Sequence, residues 1–581
     1  MNNREITTVW STMIVEEVVR HGIRRFCISP GSRSTPLTAA AARNPDTECS
    51  VFPDERAAAF FALGHARSAG KPAALICTSG TAVANYFPAV VEASLDNQPM
   101  LVLSADRPFE LLDTGANQTI RQQGIFRGYT RWNIELPEPS EQIPAAALLS
   151  TIDHAVRQSL GTPPGPVHLN LPFREPFDPV DIPSDCAWTH SLDLWKKGHE
   201  PLNRFALGKK TADTTTFNHV HELLTKASSP LLVAGHLDRQ ADAEAVLTLA
   251  VELQIPLYAD ISSKLRMYSG NEMLQPLFQS ERFTSRFSPD LVIHFGGKIV
   301  GKQLPAAIKH WAPKNFIVIK NHPSRYNPDH NVTLQIEASP EDFAAKLVSQ
   351  IDRTSHCDLP LRTVSSAIEK ELDDYCSPDK QLTEISTARI VSKTVPQSHG
   401  LFLANSMPIR DMDSYTALRN SNAVPQCGMN RGASGIDGNI ATAAGFAQGL
   451  GAPVTLVIGD ISFLHDLNSL TLLRTMKRPL HIVVINNNGG GIFSFLPIAE
   501  QKDIFETHFG TPQSYSIRSA AETFGLAYHN PSTNREFREC YLERCGSNTS
   551  GIIEITCTRE ENLVEHRNLN ARLRELIDRH L

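Results

Sequence analysis

The stretch that decides the fold is Gly459 to Phe493, GDISFLHDLNSLTLLRTMKRPLHIVVINNNGGGIF. Just before it, Pro453-Val454-Thr455-Leu456-Val457-Ile458 is an apolar run of strand length ending at Gly459-Asp460. A second run, His481-Ile482-Val483-Val484-Ile485, ends at Asn486-Asn487-Asn488-Gly489-Gly490-Gly491. Apolar runs bounded by polar, glycine-bearing turns read as buried strands. Between them Leu464, Leu467, Leu470, Leu473 and Met476 recur at helical spacing, so the unit reads strand, helix, strand. A right-handed crossover puts both polar turns at one edge of a parallel sheet. Open parallel sheets bind ligands at that edge, beyond the carboxyl ends of their strands.

Two such turns, one carrying Asp460 and the other Asn487, suit a divalent metal holding a diphosphate. A hard cation takes oxygen ligands: a carboxylate, an amide oxygen and a backbone carbonyl, with phosphates and water completing the shell. Ser462 and the glycine-flanked amides are placed to cradle phosphate oxygens, because glycine lets backbone approach closely. Taken singly, either turn is an ordinary α/β turn; the chemistry lies in the pair.

A GD pair followed, across one crossover, by an asparagine run resembles the diphosphate-binding motif of the thiamine diphosphate-dependent enzymes. The resemblance implies that Asp460, Asn487 and the Gly489 carbonyl hold Mg2+ or Mn2+. It also implies an α/β fold of three doubly wound parallel-sheet domains: pyrimidine-binding over 1–185, central over 205–355, diphosphate- and metal-binding over 381–581.

The totals agree with several domains. A chain of 581 residues exceeds a single core. The net charge of −7, with no long basic run, disfavours nucleic acid. The start, MNNREITTVW, shows no apolar core or cleavage site, and no apolar stretch is long enough to cross a membrane, which points to the cytoplasm. Ten scattered cysteines, with no CxxC pair, fit reduced thiols, and no HExxH or paired CxxC zinc arrangement occurs. His219 and His221 read as surface and core partners on a helix.

From Thr7 to about Pro179 strands and helices alternate, as in a doubly wound sheet. Phe26–Ser29, Glu48–Phe52, Ala73–Cys77, Met100–Ser104 and Val167–Leu171 are the strands. Pro53-Asp54-Glu55-Arg56 opens a long alanine-rich helix, and a glutamate in a first turn is ordinarily a helix-dipole partner. By the resemblance Glu55 is instead the activating glutamate. It would hydrogen-bond N1′ of the aminopyrimidine and favour the imino tautomer, whose 4′ nitrogen takes the C2 proton. That glutamate comes from the partner subunit, so a homodimer or homotetramer is implied.

Ser32 and Arg33, in SPGSRSTPL, and Asn117 and Gln118, in DTGANQTIRQQGIF, are similar to substrate contacts of one branch of the family. Without that motif they read as solvated loop residues. Arginine suits carboxylates by its planar fork. Asp181 to Lys210 reads as a linker; strands at Pro230–Ala234, Ile255–Ala259, Asp290–Phe295 and Asn315–Lys320, with a helix at Ala241–Leu253, make a second α/β pattern. Gly296-Gly297 lacks a GxGxxG context, so no nucleotide is inferred there. Lys302 matches a substrate lysine of that branch, while Gln303 stands where some relatives have arginine.

Thr354 to Lys380 reads as a charged connector containing a helix. Gly400–Ala404 is a strand running into Asn405-Ser406-Met407-Pro408-Ile409-Arg410, and NRGASGIDG (Asn430 to Gly438) is a glycine-punctuated loop before a helix at Asn439–Gly449. The resemblance assigns cofactor contacts to Glu55, Ser406, Arg431, Ala433, Ser434, Ile436, Asp460, Ser462, Asn487, Gly489, Gly490, Ile492 and Phe493. Ile436, which by itself reads as a core isoleucine, would prop the cofactor in a bent shape, and Ile492, Phe493 and Leu496 would wall the thiazolium. Substrate contacts are assigned to Ser32, Arg33, Asn117, Gln118, Lys302, Asn405, Arg410, Arg431, Phe493 and Leu496, and catalytic roles to Glu55, Ser32, Arg33, Gln118, Arg410 and Arg431.

The branch that SPGSRSTPL, NRGASGIDG and NNNGGGIF resemble works in menaquinone biosynthesis. The implied activity is decarboxylation of 2-oxoglutarate and 1,4-addition of the resulting enamine to isochorismate. Alternatives are another thiamine diphosphate-dependent decarboxylase or carboligase of the acetolactate type, and a cofactor-bound scaffold without activity.

Overall fold

The expected strands assemble into three sheets in the computed structural model, which describes residues 1–181, 186–351, 357, 359–419 and 424–581. The first sheet holds β1 (Arg25–Ile28), β2 (Glu48–Val51), β3 (Ala74–Cys77), β4 (Met100–Asp106), β5 (Trp132–Glu135) and β6 (Pro166–Pro172), in the order β2-β1-β3-β4-β6-β5. The second holds β7 (Pro230–Ala234), β8 (Leu257–Ala259), β9 (Leu291–Phe295), β10 (Asn315–Lys320) and β11 (Leu334–Glu337), ordered β11-β10-β9-β7-β8. The third holds β12 (Gly400–Leu403), β13 (Cys427–Met429), β14 (Val454–Gly459), β15 (Leu480–Asn486), β16 (Ala527–His529) and β17 (Gly551–Thr556), ordered β13-β12-β14-β15-β17-β16. The first and third orders are the same permutation, so one topology is used twice in the chain. Each sheet pairs its strands in parallel, β1 with β3, β9 with β10 and β15 with β17 among them.

Why the runs form strands is clear from their burial. Ala74–Cys77, Met100–Asp106 and Leu291–Phe295 are buried at every position, as strands covered by helices on both faces must be. Helices start where side chains cap them. Asp54 accepts from the N–H groups of Arg56 (2.9 Å) and Ala57 (3.4 Å), and so opens the helix Glu55–Ala69, which Gly70 closes in the left-handed conformation.

The chain divides into two units. One comprises Met1–Leu207, Asn430–Val454 and Leu464–Arg478; the other Gly208–Met429, Thr455–Phe463 and Pro479–Leu581. In the first, helix Asn439–Leu450 lies on helix Glu55–Ala69 at backbone contact. A Cβ on Gly64 would sit 1.9 Å from the Thr442 carbonyl oxygen, and one on Gly445 1.9 Å from that of Phe61. The two helices cross this closely because both surfaces are glycine there.

One expectation is corrected. The connection between β14 and β15 is not a single α-helix but a short α turn, Asp460–His465, followed by a 3-10 helix, Leu467–Arg474. The leucines at 464, 467, 470 and 473 repeat every three residues, and a helix of three residues per turn stacks such positions on one face. Leu470 and Leu473 are buried accordingly. The linker over Asp181 to Lys210 carries a 3-10 turn, Ala187–Leu192, and a short helix, Asp193–Lys197. The connector after Thr354 contains helix Leu361–Tyr375. Residues 182–185, 352–356 and 358, with the expected domain ends at 185 and 355, lie outside the described residues. Among the described residues all ten cysteines are free and no helix is long and apolar enough to cross a membrane.

Candidate active site

In the second unit the turns after β14 and β15 meet. Asp460, 3% exposed, begins the helix that follows β14. Its Oδ1 accepts from the Ile461 N–H (2.8 Å) and its Oδ2 from the Gly489 N–H (2.8 Å), joining the two turns directly. Burial pushes the Asp460 carboxyl up to about 6, against the Ile461 and Gly489 N–H groups and nearby Arg559. A cation at this carboxylate would favour its ionised form.

Asn487 is also buried, and its Nδ2 donates to Glu384 Oε1 (2.8 Å) while its Oδ1 has no partner. A buried amide oxygen without a hydrogen bond costs free energy unless a donor or a cation meets it. With Asp460, Asn487 and the Gly489 carbonyl, the donors present are the hard oxygens a Mg2+ or Mn2+ ion takes, so the residues fit such an ion. Gly489 is obligatory for geometric reasons: φ is 138°, and a Cβ would stand 2.0 Å from the Gly510 carbonyl oxygen. The same carbonyl accepts from the Gly490 N–H at 2.7 Å.

The same unit carries several other expected residues. Ser462 is buried. Asn405 is buried at the end of β12, and Ser406, with φ 77°, opens helix Met407–Tyr415. Arg410 turns back along that helix and donates from Nη1 to the Ser406 carbonyl (2.5 Å). Ile492 and Phe493 are half-buried, Phe493 edge-on to Phe509 at 5.6 Å, and Leu496 is 41% exposed. Lys302 is exposed at the start of helix Gln303–Trp311.

The first unit carries the other set. The turns after β1, β3 and β4, three adjacent parallel strands, share a sheet edge. Ser32 is exposed there. Arg33 is buried: its Nη1 donates to the Phe173 carbonyl (2.6 Å) and its guanidinium lies 4.5 Å from the Phe177 ring centre. Burial, then neighbouring Arg107, lowers its pKa. Gln118 holds φ 57° and donates from Nε2 to the Ser79 carbonyl (2.9 Å), with Asn117 exposed beside it. Glu55 is half-buried at the start of its helix.

The loop with Arg431, Ala433, Ser434 and Ile436 belongs to this unit as well. Arg431 is half-buried and Ala433 exposed. Ile436 is 39% exposed, so the reading of it as an ordinary core isoleucine is corrected; its side chain is exposed while its carbonyl accepts from Asn439 Nδ2 (2.9 Å).

Three residues that sequence reasoning missed support these sets. Glu92, on helix Phe87–Leu95, accepts from the N–H groups of Gly432 (2.7 Å), Ala433 (2.6 Å) and Ser434 (3.3 Å) and pairs with Arg67 (3.0 Å). Burial and Asp96 raise its carboxyl pKa, and Arg67 and the loop N–H groups oppose them. Arg107 donates to the Ser79 hydroxyl beside Arg33, adding a second cation to that edge. Gln122, also buried, accepts from the Gly80 N–H (2.8 Å) and donates to Asn170 Oδ1 (2.9 Å). Only the RQQGIF context of Gln122 was visible in sequence; partners 42 to 48 residues away were not.

This fold is that of the thiamine diphosphate-dependent enzymes. Residues 9–125 match the N-terminal TPP-binding domain of thiamine pyrophosphate enzymes, and residues 186–403 the middle domain of thiamine pyrophosphate. A solved structure titled a putative thiamin diphosphate-dependent enzyme from Mycobacterium smegmatis shares the fold, with TM-score 0.68 over 93% of this chain and 98% of that one at 17% identity. The chain is 68% identical over 581 residues, the full length of both, to the 2-succinyl-5-enolpyruvyl-6-hydroxy-3-cyclohexene-1-carboxylate synthase of Chlorobium phaeobacteroides. It is 56% identical to the protein of that name from Pelodictyon phaeoclathratiforme, over 100% of this chain and 98% of that one. The chain belongs to this synthase family.

Proposed function

We propose that the chain decarboxylates 2-oxoglutarate and joins the remaining four-carbon unit to isochorismate in a 1,4 sense, releasing carbon dioxide. The observation that carries the cofactor half is the buried, unpartnered Asn487 Oδ1 beside Asp460 at the β14–β15 turns. Bound thiamine diphosphate supplies the carbon nucleophile and the electron sink. The protein's part is placement: Asp460, Asn487 and the Gly489 carbonyl hold Mg2+ or Mn2+, and Ser406, Arg431, Ala433, Ser434, Ser462 and Gly490 accompany the cofactor. Ile436 sets its shape, while Ile492, Phe493 and Leu496 keep its reactive side dry.

Glu55, contributed by a partner subunit in a dimer or tetramer, holds a proton at the pyrimidine N1′. Both substrates are polycarboxylates, which gives Arg33, Arg410, Arg431 and Lys302 their purpose as forks and counter-charges. Ser32, Asn117, Gln118 and Asn405 orient the same substrates. The division into 1–185, 205–355 and 381–581 and a cytoplasmic location belong to the same reading.

An assay with 2-oxoglutarate, isochorismate, thiamine diphosphate and Mg2+, omitting each in turn, tests it. Isochorismate is expected to disappear only when all four are present. Carbon dioxide release from pyruvate, with isochorismate untouched, would instead make the chain an acetolactate-type carboligase.

A further inference from the structure

Lys302 and Arg410, both given to substrate carboxylates in the proposed function, lie far apart in the sequence of the second unit. Lys302 is exposed, just before helix Gln303–Trp311, and Arg410 is half-buried on helix Met407–Tyr415. A lysine ammonium rides on a flexible four-carbon stem, so the region it can serve is set by the backbone beneath it. That backbone is held by two buried carboxylates that the proposed function leaves unused, Asp260 (0% exposed) and Asp413 (1% exposed).

Asp260 directly follows β8. Its Oδ1 accepts from the Ser262 N–H (2.9 Å) and hydroxyl (2.5 Å). Its Oδ2 accepts from the Val300 N–H (2.6 Å), two residues before Lys302. Asp413 stands one turn beyond Arg410 on the same helix. Its Oδ1 accepts from the Ile261 N–H (2.9 Å), and its backbone carbonyl from Arg266 Nε (2.8 Å). Asp413 also meets the lysine turn directly. A Cβ on Gly301 would lie 3.2 Å from Asp413 Oδ2 and 3.5 Å from the Tyr258 hydroxyl, which itself donates to that Oδ2 (3.4 Å).

The two acids act on each other. Burial first, and then Asp260, raise the pKa of the Asp413 carboxyl, and Arg266 opposes them. A continuous path therefore runs from the helix of Arg410 through Asp413, Ile261 and Asp260 to Val300, and so to the turn that carries Lys302. Hydrogen bonds to carboxylates in a low-dielectric interior are strong and geometrically demanding. Buried charges are not a favoured source of stability, since apolar side chains of similar volume often serve as well. What this network supplies instead is a fixed geometry, at the place where two substrate cations are rooted.

We propose that Asp413 and Asp260 are positioning residues. Through Ile261 and Val300 they fix the turn of Lys302 against the helix of Arg410, and so set the spacing of these two cations for the substrate carboxylates. The inference rests on the reading of Lys302 and Arg410 as substrate contacts.

Steady-state kinetics of the full chain with 2-oxoglutarate, isochorismate, thiamine diphosphate and Mg2+ test it, in the wild type, Asp260→Asn, Lys302→Ala and the double variant. Asparagine at 260 keeps one acceptor oxygen and replaces the other by an N–H2 group that cannot accept from Val300. Lys302→Ala is expected to raise KM for one of the two substrates. Asp260→Asn is expected to raise that same KM about tenfold, with kcat at saturation within about twofold of wild type. In the Lys302→Ala background, Asp260→Asn is expected to add nothing, because its effect passes through the lysine. Gly301→Ala crowds Asp413 without removing a hydrogen bond and is expected to raise the same KM about threefold; it carries the test should Asp260→Asn unfold. An unchanged KM in Asp260→Asn, a fall in kcat alone, or an equal rise in KM with and without Lys302 would overturn the proposal and leave the substrate reading standing. Unchanged KM values in Lys302→Ala would remove Lys302 from the proposed function, and this proposal with it.

Discussion

Single side chains in this protein act through what holds them. Asn487 was named in sequence as a candidate metal ligand because an asparagine run closes an apolar run, but Glu384, which fixes the amide so that its oxygen stays unpartnered, lies 103 positions away and was not visible there. Arg107 escaped for a related reason: an arginine after a strand is common, and only the fold sets it beside Arg33 and Ser79. Glu55 was singled out only through the family resemblance, since the residue by itself is an ordinary helix-opening acid. Glu55→Gln is expected to leave the thermal midpoint unchanged while lowering turnover about a hundredfold or more, the scale of a lost proton-holding group. Steady-state rates with saturating cofactor check this, and turnover within a few-fold of wild type would remove Glu55 from the chemistry.

At the scale of elements, strands were read well and connections poorly. Buried parallel strands leave an unbroken apolar run, whereas the 3-10 helix at Leu467–Arg474 differs from an α-helix only by a stricter period of three. The loop Arg431 to Ser434 was quoted as a motif, yet its conformation is set by Glu92, whose carboxylate spans three consecutive N–H groups. Glu92→Gln substitutes an N–H2 donor for one of those acceptor oxygens, so it turns attraction to the loop into repulsion. The expected result is about tenfold weaker thiamine diphosphate binding with little change in kcat at saturation, read from cofactor titrations of activity; a fall in kcat with unchanged cofactor affinity would contradict a positioning role.

A second element is pinned by acids. Glu17 accepts from Trp195 Nε1 (2.6 Å) and the Leu202 N–H (2.5 Å), and Asp153 from Asn203 Nδ2 (2.9 Å) and, at its other oxygen, contacts His21 Nε2 (2.7 Å). These contacts tie residues 195–203 to helices Asn3–Arg20 and Ala145–Ser159. Burial, reinforced by Asp153, raises the Glu17 carboxyl well above its ordinary 4.5. A folded-state pKa above the unfolded one means that the folded protein binds the extra proton. The contribution is therefore full below the ordinary carboxylate range and is lost as pH rises through the raised value. Urea midpoints are expected to fall between about pH 5 and about pH 8, by at most about 1.4 kcal/mol per pH unit from this group, and Glu17→Gln, which mimics the neutral acid, is expected to flatten that slope. An identical slope in the variant would exclude Glu17 as the source.

At the scale of the whole molecule the chain uses one strand order twice, and the candidate site residues lie on the turns of both sheets. The parallel-sheet class and three-sheet organisation were legible because apolar runs and polar turns alternate over the full length. The grouping of residues 430–454 and 464–478 with the first 207 was not, because it depends on glycine faces, Gly64 and Gly445, that carry no hydrophobic signal. In the proposed function Asp460 and Asn487 hold a metal that in turn holds the cofactor diphosphate. The direct measurement is calorimetric titration of thiamine diphosphate into the full chain, with Mg2+ and then with EDTA, in the wild type and in Asp460→Ala. Expected is binding that requires Mg2+ in the wild type and is weakened about a hundredfold or more in the variant. Equal affinity with and without Mg2+, or an unchanged affinity in Asp460→Ala, would contradict it.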